Sequence, residues 1–455
     1  MRAPAGERPT SAGRSAVSLG CSRLHTASYA GRPAVVAQIG PAGITRTFGA
    51  ADGDLVSEAA RRAAAAGVPL VISLSCRGLH VGDGLASCDG LGRAARAVSA
   101  LTGVVPVLAV VSGRVSSEVA LLVGLADIAI MTADARLHLS SAVDVRRTSG
   151  IGTLDWFGDP HSVTARAGVA QIAVPSHRAV HDVLSELLGM LPDPVGVSDH
   201  PPHPVSDPPD RPCPDLNAVL PDDPAVPYDV RRVVDAVVDD RHLLEISPDF
   251  APNVVCAFAR VAGRTVGVVA NQPQVLAGTL DVHASCKAAR FVELCDRYGI
   301  PLVTFVDTPG FLPGRDQEWR GMIRHGSKLA FAYARTTVPR VCVILRKAYG
   351  GAYIVMDSKP MGSDLTFAWP TAEIAVMGPE GAARIVGRGA SPEELAELTE
   401  RYRHEHLNSW RAAERGLVDD VIEPSDTRRK IAAALRILED KVQEQRPRRH
   451  DNHPL

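Results

Sequence analysis

The segment Arg346-Lys347-Ala348-Tyr349-Gly350-Gly351-Ala352-Tyr353 places two adjacent glycines where an apolar strand, Val341 to Leu345, gives way to a helix. Without Cβ atoms such a pair lets the backbone approach a ligand closely and aim successive N–H groups at one oxygen, as stabilisation of a developing oxyanion requires. A tight strand-to-helix turn uses the same residues, so the pair alone does not decide between the two. The eight cysteines, Cys21, Cys76, Cys88, Cys213, Cys256, Cys286, Cys295 and Cys342, are scattered, with no Cys-x-x-Cys pair and no metal-ligand spacing with histidine. They fit reduced thiols in a cytoplasmic protein, and no metal is expected.

The elements that must position this turn occur twice. An Ala-rich helical stretch ends at Gly67 and runs into the apolar strand Val68 to Leu74, followed by a glycine-containing loop. The helical pattern from Ala288 to Tyr298 ends at Gly299, its expected C-cap, and continues through Ile300 to Val306 into the loop at Gly310. Pro106 then opens a strand over Val107 to Val111, and Pro339 opens its counterpart over Val341 to Leu345. This internal repeat of helix, apolar strand, glycine loop and helix describes βα units whose strands are buried on both faces, so both halves are expected to be α/β. Loops at the carboxyl ends of such strands lead into helix N-termini, where N–H groups suit an anion. Four loops are therefore the candidate site: Ser75 to Gly84, Ser112 to Glu118, Asp307 to Gly314 and Arg346 to Ala352.

A chain of 455 residues calls for two domains, each able to bury its own core. Lys plus Arg number 49 against 51 Asp plus Glu, a balance that argues against capture of nucleic acid or of an anionic membrane as the main task. The longest charge-free run, Ala97 to Gly113, is interrupted by Gly103 and Pro106 and is too short to span a bilayer. Residues 1–31 have no apolar signal region and read as a disordered tail. Prolines crowd residues 192–227, which read as an extended linker between a first domain, 32–191, and a second, 228–455.

Further motifs give these loops a context. Ala270-Asn271-Gln272-Pro273, Lys287-Ala288-Ala289-Arg290-Phe291, Phe305 to Gly314, His325-Gly326, Arg346 to Tyr353, Trp369 to Gly378 and Ala412 to Gly416 together resemble the carboxyltransferase subunits of biotin-dependent acetyl- and propionyl-CoA carboxylases. The resemblance runs from about Leu220 to Ile437. It implies two crotonase-like (ClpP/crotonase) domains, with active sites where the N-half of one subunit faces the C-half of another. It also implies a homo- or hetero-hexameric ring working with a biotin carboxylase and biotin carrier (alpha) subunit. By the same resemblance the C-half receives carboxybiotin, whose ureido oxygen is held by the backbone amides of Gly351 and Ala352 after Gly350, and no side-chain nucleophile is needed. Gly310, Phe311 and Ile354 are carried over as substrate-binding positions. Propionyl-preferring members have Asp where this chain has Ile354, as many acetyl- or broad-range members do, so acetyl-CoA stands beside propionyl-CoA as substrate and malonyl-CoA beside methylmalonyl-CoA as product. Ile354 also reads simply as a space-filling residue.

The first half departs from that pattern. Where the family has Asp-Ser-Gly-Gly-Ala-Arg this chain has Ser75-Cys76-Arg77-Gly78-Leu79-His80, and where it has a glycine pair for the acyl-CoA oxyanion this chain has Ser117 and Glu118. Their Cβ atoms restrict positive φ, and a carboxylate there opposes an enolate, so Glu118 must point away or be protonated. The family's basic N-terminal helical segment is not recognisable before Arg32, and Cys286 stands where relatives have Glu. Cys76, His80 and Cys286 are read as packing or loop residues. Three readings remain open: a working acyl-CoA carboxyltransferase, a malonyl- or methylmalonyl-CoA decarboxylase or transcarboxylase, and an impaired subunit that assembles with an intact homologue.

Overall fold

The structure, a computed structural model, describes residues 17–19, 22–40, 46–150, 156–191 and 203–443. The chain divides into two compact units, residues 1–163 with 173–189 and residues 164–172 with 190–455.

In the first unit seven strands form one sheet in the order Val17–Leu19, Ser22–Tyr29, Arg32–Ile39, Leu70–Leu74, Val107–Val111, Ile128–Thr132, Ile172–Val174. The pairings are antiparallel up to Arg32–Ile39 and parallel from there to Ile128–Thr132. The second unit repeats the plan with Leu243–Glu245, Val254–Val261, Arg264–Asn271, Leu302–Thr308, Arg340–Tyr349, Leu365–Ala368 and Asp420–Val421. Here too the first pairings are antiparallel and the later ones parallel. The repeat read from the sequence is thus a repeat of topology, α/β in each unit.

The strands expected from their apolar runs are present, and every residue of Val107–Val111, Ile128–Thr132 and Leu302–Thr308 is buried. Helix Ala50–Ala66 ends on Gly67 at φ +62°, with the N–H groups of Gly67 and Val68 donating to Ala64 O (3.2 Å) and Ala63 O (3.1 Å). Helix Val282–Arg297 closes in the same way, Gly299 taking φ +67° and Ile300 N donating to Cys295 O at 2.9 Å. At both exits a left-handed residue turns the chain from helix into strand, which is why glycine marks them. No helix among the described residues is long and apolar enough to cross a membrane.

Three expectations about boundaries need correction. The stretch expected as a tail supplies strands Val17–Leu19 and Ser22–Tyr29, the latter paired with Arg32–Ile39 from Arg23↔Gln38 to Tyr29↔Arg32. Ser22, Leu24 and Tyr29 are buried and the residues between them largely polar. An alternation this short carries little weight in a low-complexity neighbourhood, and only the partner strand gives it a face to bury.

The Pro-rich stretch also differs from an extended linker. Residues 192–202 lie outside the described part, but 203–227 pack on the second unit. Cys213, Leu216 and Val219 enter the core containing Val233, Phe305, Trp369 and Ile431. Cys213 N donates to Ser425 O at 2.8 Å, and the buried Arg428 donates to Pro208 O at 3.0 Å and to Asp207 O at 3.2 Å. Proline contributes no N–H to a ladder, so this segment is fastened by side chains reaching its carbonyls. The expected first domain likewise gives up residues 164–172 to the second unit, where Ser247 N donates to Gln171 O at 3.0 Å.

If the strand Ser22–Tyr29 belongs to the core, Leu24→Ala should destabilise the first unit by roughly 2–5 kcal/mol. Urea unfolding followed by circular dichroism would show a clear loss of midpoint; an unchanged midpoint would return the segment to a tail.

Candidate functional site

Strand Arg340–Tyr349 is buried at all positions but Lys347 and hands over to helix Gly350–Val355. Gly350 takes φ +57°, and a Cβ there would stand 2.9 Å from Val376 O, so both conformation and space demand glycine. At Gly351 an added Cβ would lie 3.3 Å from the Phe311 ring, and at Gly326 it would lie 3.2 Å from another edge of the same ring. Phe311 is thus seated against two glycines on separate elements. Its own backbone is set by Leu280, whose N–H donates to Gly310 O at 3.1 Å and whose carbonyl accepts Leu312 N–H at 2.8 Å. Gly310, with φ +146°, makes the bend. The structure therefore brings Gly310, Phe311, Gly350, Gly351 and Ala352 together, with Ala352 buried and Ile354 48 % exposed on the same short helix. The first N–H groups of a helix have no carbonyl one turn earlier to bond, which leaves the amides here able to serve a ligand oxygen.

Beneath the turn lies Asp307, buried to within 1 %. One of its carboxylate oxygens accepts Arg346 Nε–H at 3.0 Å and the other accepts Lys347 N–H at 3.1 Å. Arg346 Nη1 donates to Val226 O at 3.1 Å and its guanidinium lies 5.1 Å from the Tyr228 ring centre, while Lys347 Nζ donates to Pro224 O at 2.8 Å. Asn271 Oδ1 accepts Asp307 N–H at 3.3 Å. Burial pushes the Asp307 carboxyl up, and Arg346 and the Lys347 N–H oppose that push. All three charged groups are committed to holding backbone, in keeping with a structural rather than acid–base reading.

The first unit builds the matching turn from other residues. Strand Arg114–Ser116 pairs with Arg136–His138 in parallel, as the end of Arg340–Tyr349 pairs with Glu373–Ala375. Aligning Ser116↔His138 on Tyr349↔Ala375 sets Ser117 on Gly350 and Glu118 on Gly351. Ser117 takes φ +64°, within a few degrees of its glycine counterpart. The Cβ restricts this conformation without excluding it: the turn is kept, at a cost of about 1–2 kcal/mol for a non-glycine residue. Gly78 makes room, since a Cβ on it would come 3.2 Å from Ser117 Cβ. Ser117 Oγ donates to Glu118 Oε2 at 2.6 Å, and this hydroxyl holds the exposed Glu118 carboxyl below its ordinary range. Of the two ways out foreseen for Glu118, protonation is therefore not the one taken.

Cys76 is buried, its thiol pushed up to about 12, and His80 Nδ1 lies 2.9 Å from Thr47 Oγ1; neither is poised as a nucleophile or base. Sequence reasoning missed three partners. Tyr228 lies against Arg346, Tyr349 Oη donates to Glu373, and Cys286 Sγ lies 3.0 Å from His325 Nδ1. Each joins residues between 24 and 118 apart in sequence with no local signature; only the parallel pairing of Lys347 with Glu373 could have hinted at the second.

The comparisons agree with one another. The family model described as carboxyl transferase domain matches residues 28–453. The propionyl-CoA carboxylase carboxyltransferase subunit of Haloferax mediterranei is 43% identical over 397 residues, 86% of this chain and 77% of that protein. The methylmalonyl-CoA carboxyltransferase 12S subunit of Propionibacterium freudenreichii subsp. shermanii is 40% identical over 406 residues, 88% and 77%. Among solved structures, the transcarboxylase 12S hexamer with hydrolysed methylmalonyl-coenzyme A bound superposes with a TM-score of 0.91 at 37% identity, covering 95% of this chain and 85% of that one. The two-unit crotonase-like α/β fold is the fold these relatives share.

Asp307→Ala should cost roughly 3–5 kcal/mol, because it strands the buried Arg346 charge. Calorimetry should show this as a lowered transition of the second unit, with the first unit's transition unmoved.

Proposed function

The chain belongs to the carboxyl transferase family, and from that premise we propose that it is the carboxyltransferase subunit of a biotin-dependent acyl-CoA carboxylase. Its reaction moves a carboxyl group from carboxybiotin to the α-carbon of acetyl-CoA or propionyl-CoA, giving malonyl-CoA or methylmalonyl-CoA. One observation carries the reading: at Gly350 and Gly351 the strand end makes a turn in which no side chain fits without meeting Val376 O or the Phe311 ring. That cradle suits a flat ureido group seated on backbone amides. Bound there, carboxybiotin supplies the carboxyl group and the base that takes the α-proton.

The chain's own residues do the rest. The Gly351 and Ala352 N–H groups would hold the ureido oxygen and favour negative charge on it, and the Phe311 ring, packed against Gly351 and Gly326, would wall the cradle. Asp307, Arg346 and Lys347 keep the strand end still, so that the donors need no rearrangement as charge develops. Ile354, half exposed beyond the turn, offers an apolar surface to a short acyl chain. In the first unit the Ser117–Glu118 amides occupy the place of the thioester oxyanion donors. A biotin carrier with its carboxylase, a hexameric ring of such subunits and a cytoplasmic setting belong to the same proposal.

Glu118 favours a second reading. An ionised carboxylate beside a developing enolate works against it. This supports a subunit that lends its second unit to composite sites with an intact homologue.

The test is the reverse reaction: purified chain with malonyl-CoA or methylmalonyl-CoA, with and without a soluble biotin derivative. Biotin-dependent release of acetyl-CoA or propionyl-CoA is expected, and Gly351→Val should lower it by about 100-fold, because its side chain meets the Phe311 ring and turns an oxyanion donor out of line. Turnover without biotin would replace carboxyl transfer by decarboxylation. Turnover only after mixing with an intact homologue would establish the second reading.

A further inference from the structure

Helix Gly350–Val355 has six residues and cannot hold its own geometry, since helices this short are unstable without tertiary support. Its near end is held by Asp307 through Lys347 N–H. At its far end stands Asp357, fully buried and in the left-handed region at φ +55°. A non-glycine residue persists there only where its surroundings over-determine it.

Those surroundings are specific. Asp357 Oδ1 accepts Arg340 Nη1–H at 3.0 Å and Oδ2 accepts Thr304 Oγ1–H at 3.1 Å. The Thr304 hydroxyl lies 3.0 Å from Tyr333 Oη, which donates to it when Thr304 donates to Asp357. Arg340 continues outward, donating to Tyr333 O at 2.9 Å, to Met361 O at 3.2 Å and to Gly362 O. Between Asp357 and the turn, Ser358 Oγ donates to Ile354 O at 2.9 Å and Met356 N–H donates to Ala352 O at 3.1 Å. Thr304 and Asp307 lie on strand Leu302–Thr308, and Arg340 and Arg346 on Arg340–Tyr349. The same two strands therefore hold the short helix at both ends, each time through a buried carboxylate.

We propose that Asp357 is a positioning residue for carboxyl transfer: tied to Arg340 and Thr304, it fixes the far end of helix Gly350–Val355 and thereby the direction of the Gly351 and Ala352 amides. The inference rests on the reading of that turn as the carboxybiotin-side oxyanion site.

The experiment compares the full chain with Asp357→Ala, Asp357→Asn, Thr304→Val and, as a control, Asp239→Ala. Asp239 accepts Arg428 Nη2–H at 2.7 Å in an equally buried pair elsewhere in the same unit. Hydrogen–deuterium exchange is read on the peptide covering 350–356, and kinetics on the folded fraction with malonyl-CoA and a biotin derivative. Asp357→Ala should speed exchange of that peptide by about tenfold or more, leaving 254–261 unchanged, while Asp357→Asn, whose single amide oxygen can accept from Arg340 but whose NH2 can only donate towards Thr304 Oγ1, should restore part of the protection. The kcat should fall by about tenfold with KM for the CoA thioester unchanged, as for a group acting only on the transition state. Thr304→Val should give a smaller change of the same kind, and keeps the test open should Asp357→Ala not fold. Unchanged exchange at 350–356 in the Asp357 and Thr304 variants would overturn the proposal, as would an equal change there in Asp239→Ala. Absence of turnover in the unaltered chain, both alone and mixed with an intact homologue, would instead defeat the reading of the turn, and the exchange data would still decide the anchoring.

Discussion

A guanidinium taken out of water at the end of a buried strand costs several kcal/mol unless a partner meets it. Arg346 is in that position, and the Asp307 carboxylate that meets it also accepts the N–H of Lys347. With those two contacts the last rungs of strand Arg340–Tyr349 are fixed, and the chain can leave the sheet at Gly350 in one direction only. The Phe311 wall, the exposed Ile354 and the carbonyls of Pro224 and Val226 all take their places from that exit. The charged residues nearest the candidate turn thus shape backbone.

The two units show what a topology fixes and what it leaves free. Both run two antiparallel pairings into a parallel sheet, and both end a strand in a left-handed residue. At that residue one unit has glycine and the other serine. Keeping φ near +60° with a Cβ in place costs energy that the fold recovers elsewhere, so the turn itself is retained while its surface chemistry has changed. Glu118, held ionised by its neighbour's hydroxyl, marks the change. Function resides in such substitutions more than in the shared architecture.

Much of this was legible in the chain. Apolar runs such as Val107–Val111 and Leu302–Thr308 stand out because strands covered on both faces leave no room for alternation. Gly67 and Gly299 announce helix ends for a local steric reason. The strand Ser22–Tyr29 looks like tail in the sequence, because its half-buried alternation acquires meaning only beside Arg32–Ile39. The prolines of residues 192–227 suggest a linker, yet Leu216 and Val219 among them find a core. Composition reports what a segment cannot do for itself and is silent on what another segment does for it.

For the candidate site the same division holds. The sequence by itself determined where strands stop and which of those stops carry glycine, which are properties of neighbouring residues set by local sterics, and the family resemblance made the amides near Gly350 and Gly351 the candidate surface. Only the tertiary structure decided that Ser117 keeps a glycine's conformation, that Glu118 is tied to its neighbour's hydroxyl, and that Asp307 and Asp357 brace the two ends of one short helix. Those facts depend on pairing residues tens of positions apart across parallel strands, and on the burial that makes each unpaired charge too costly to leave alone.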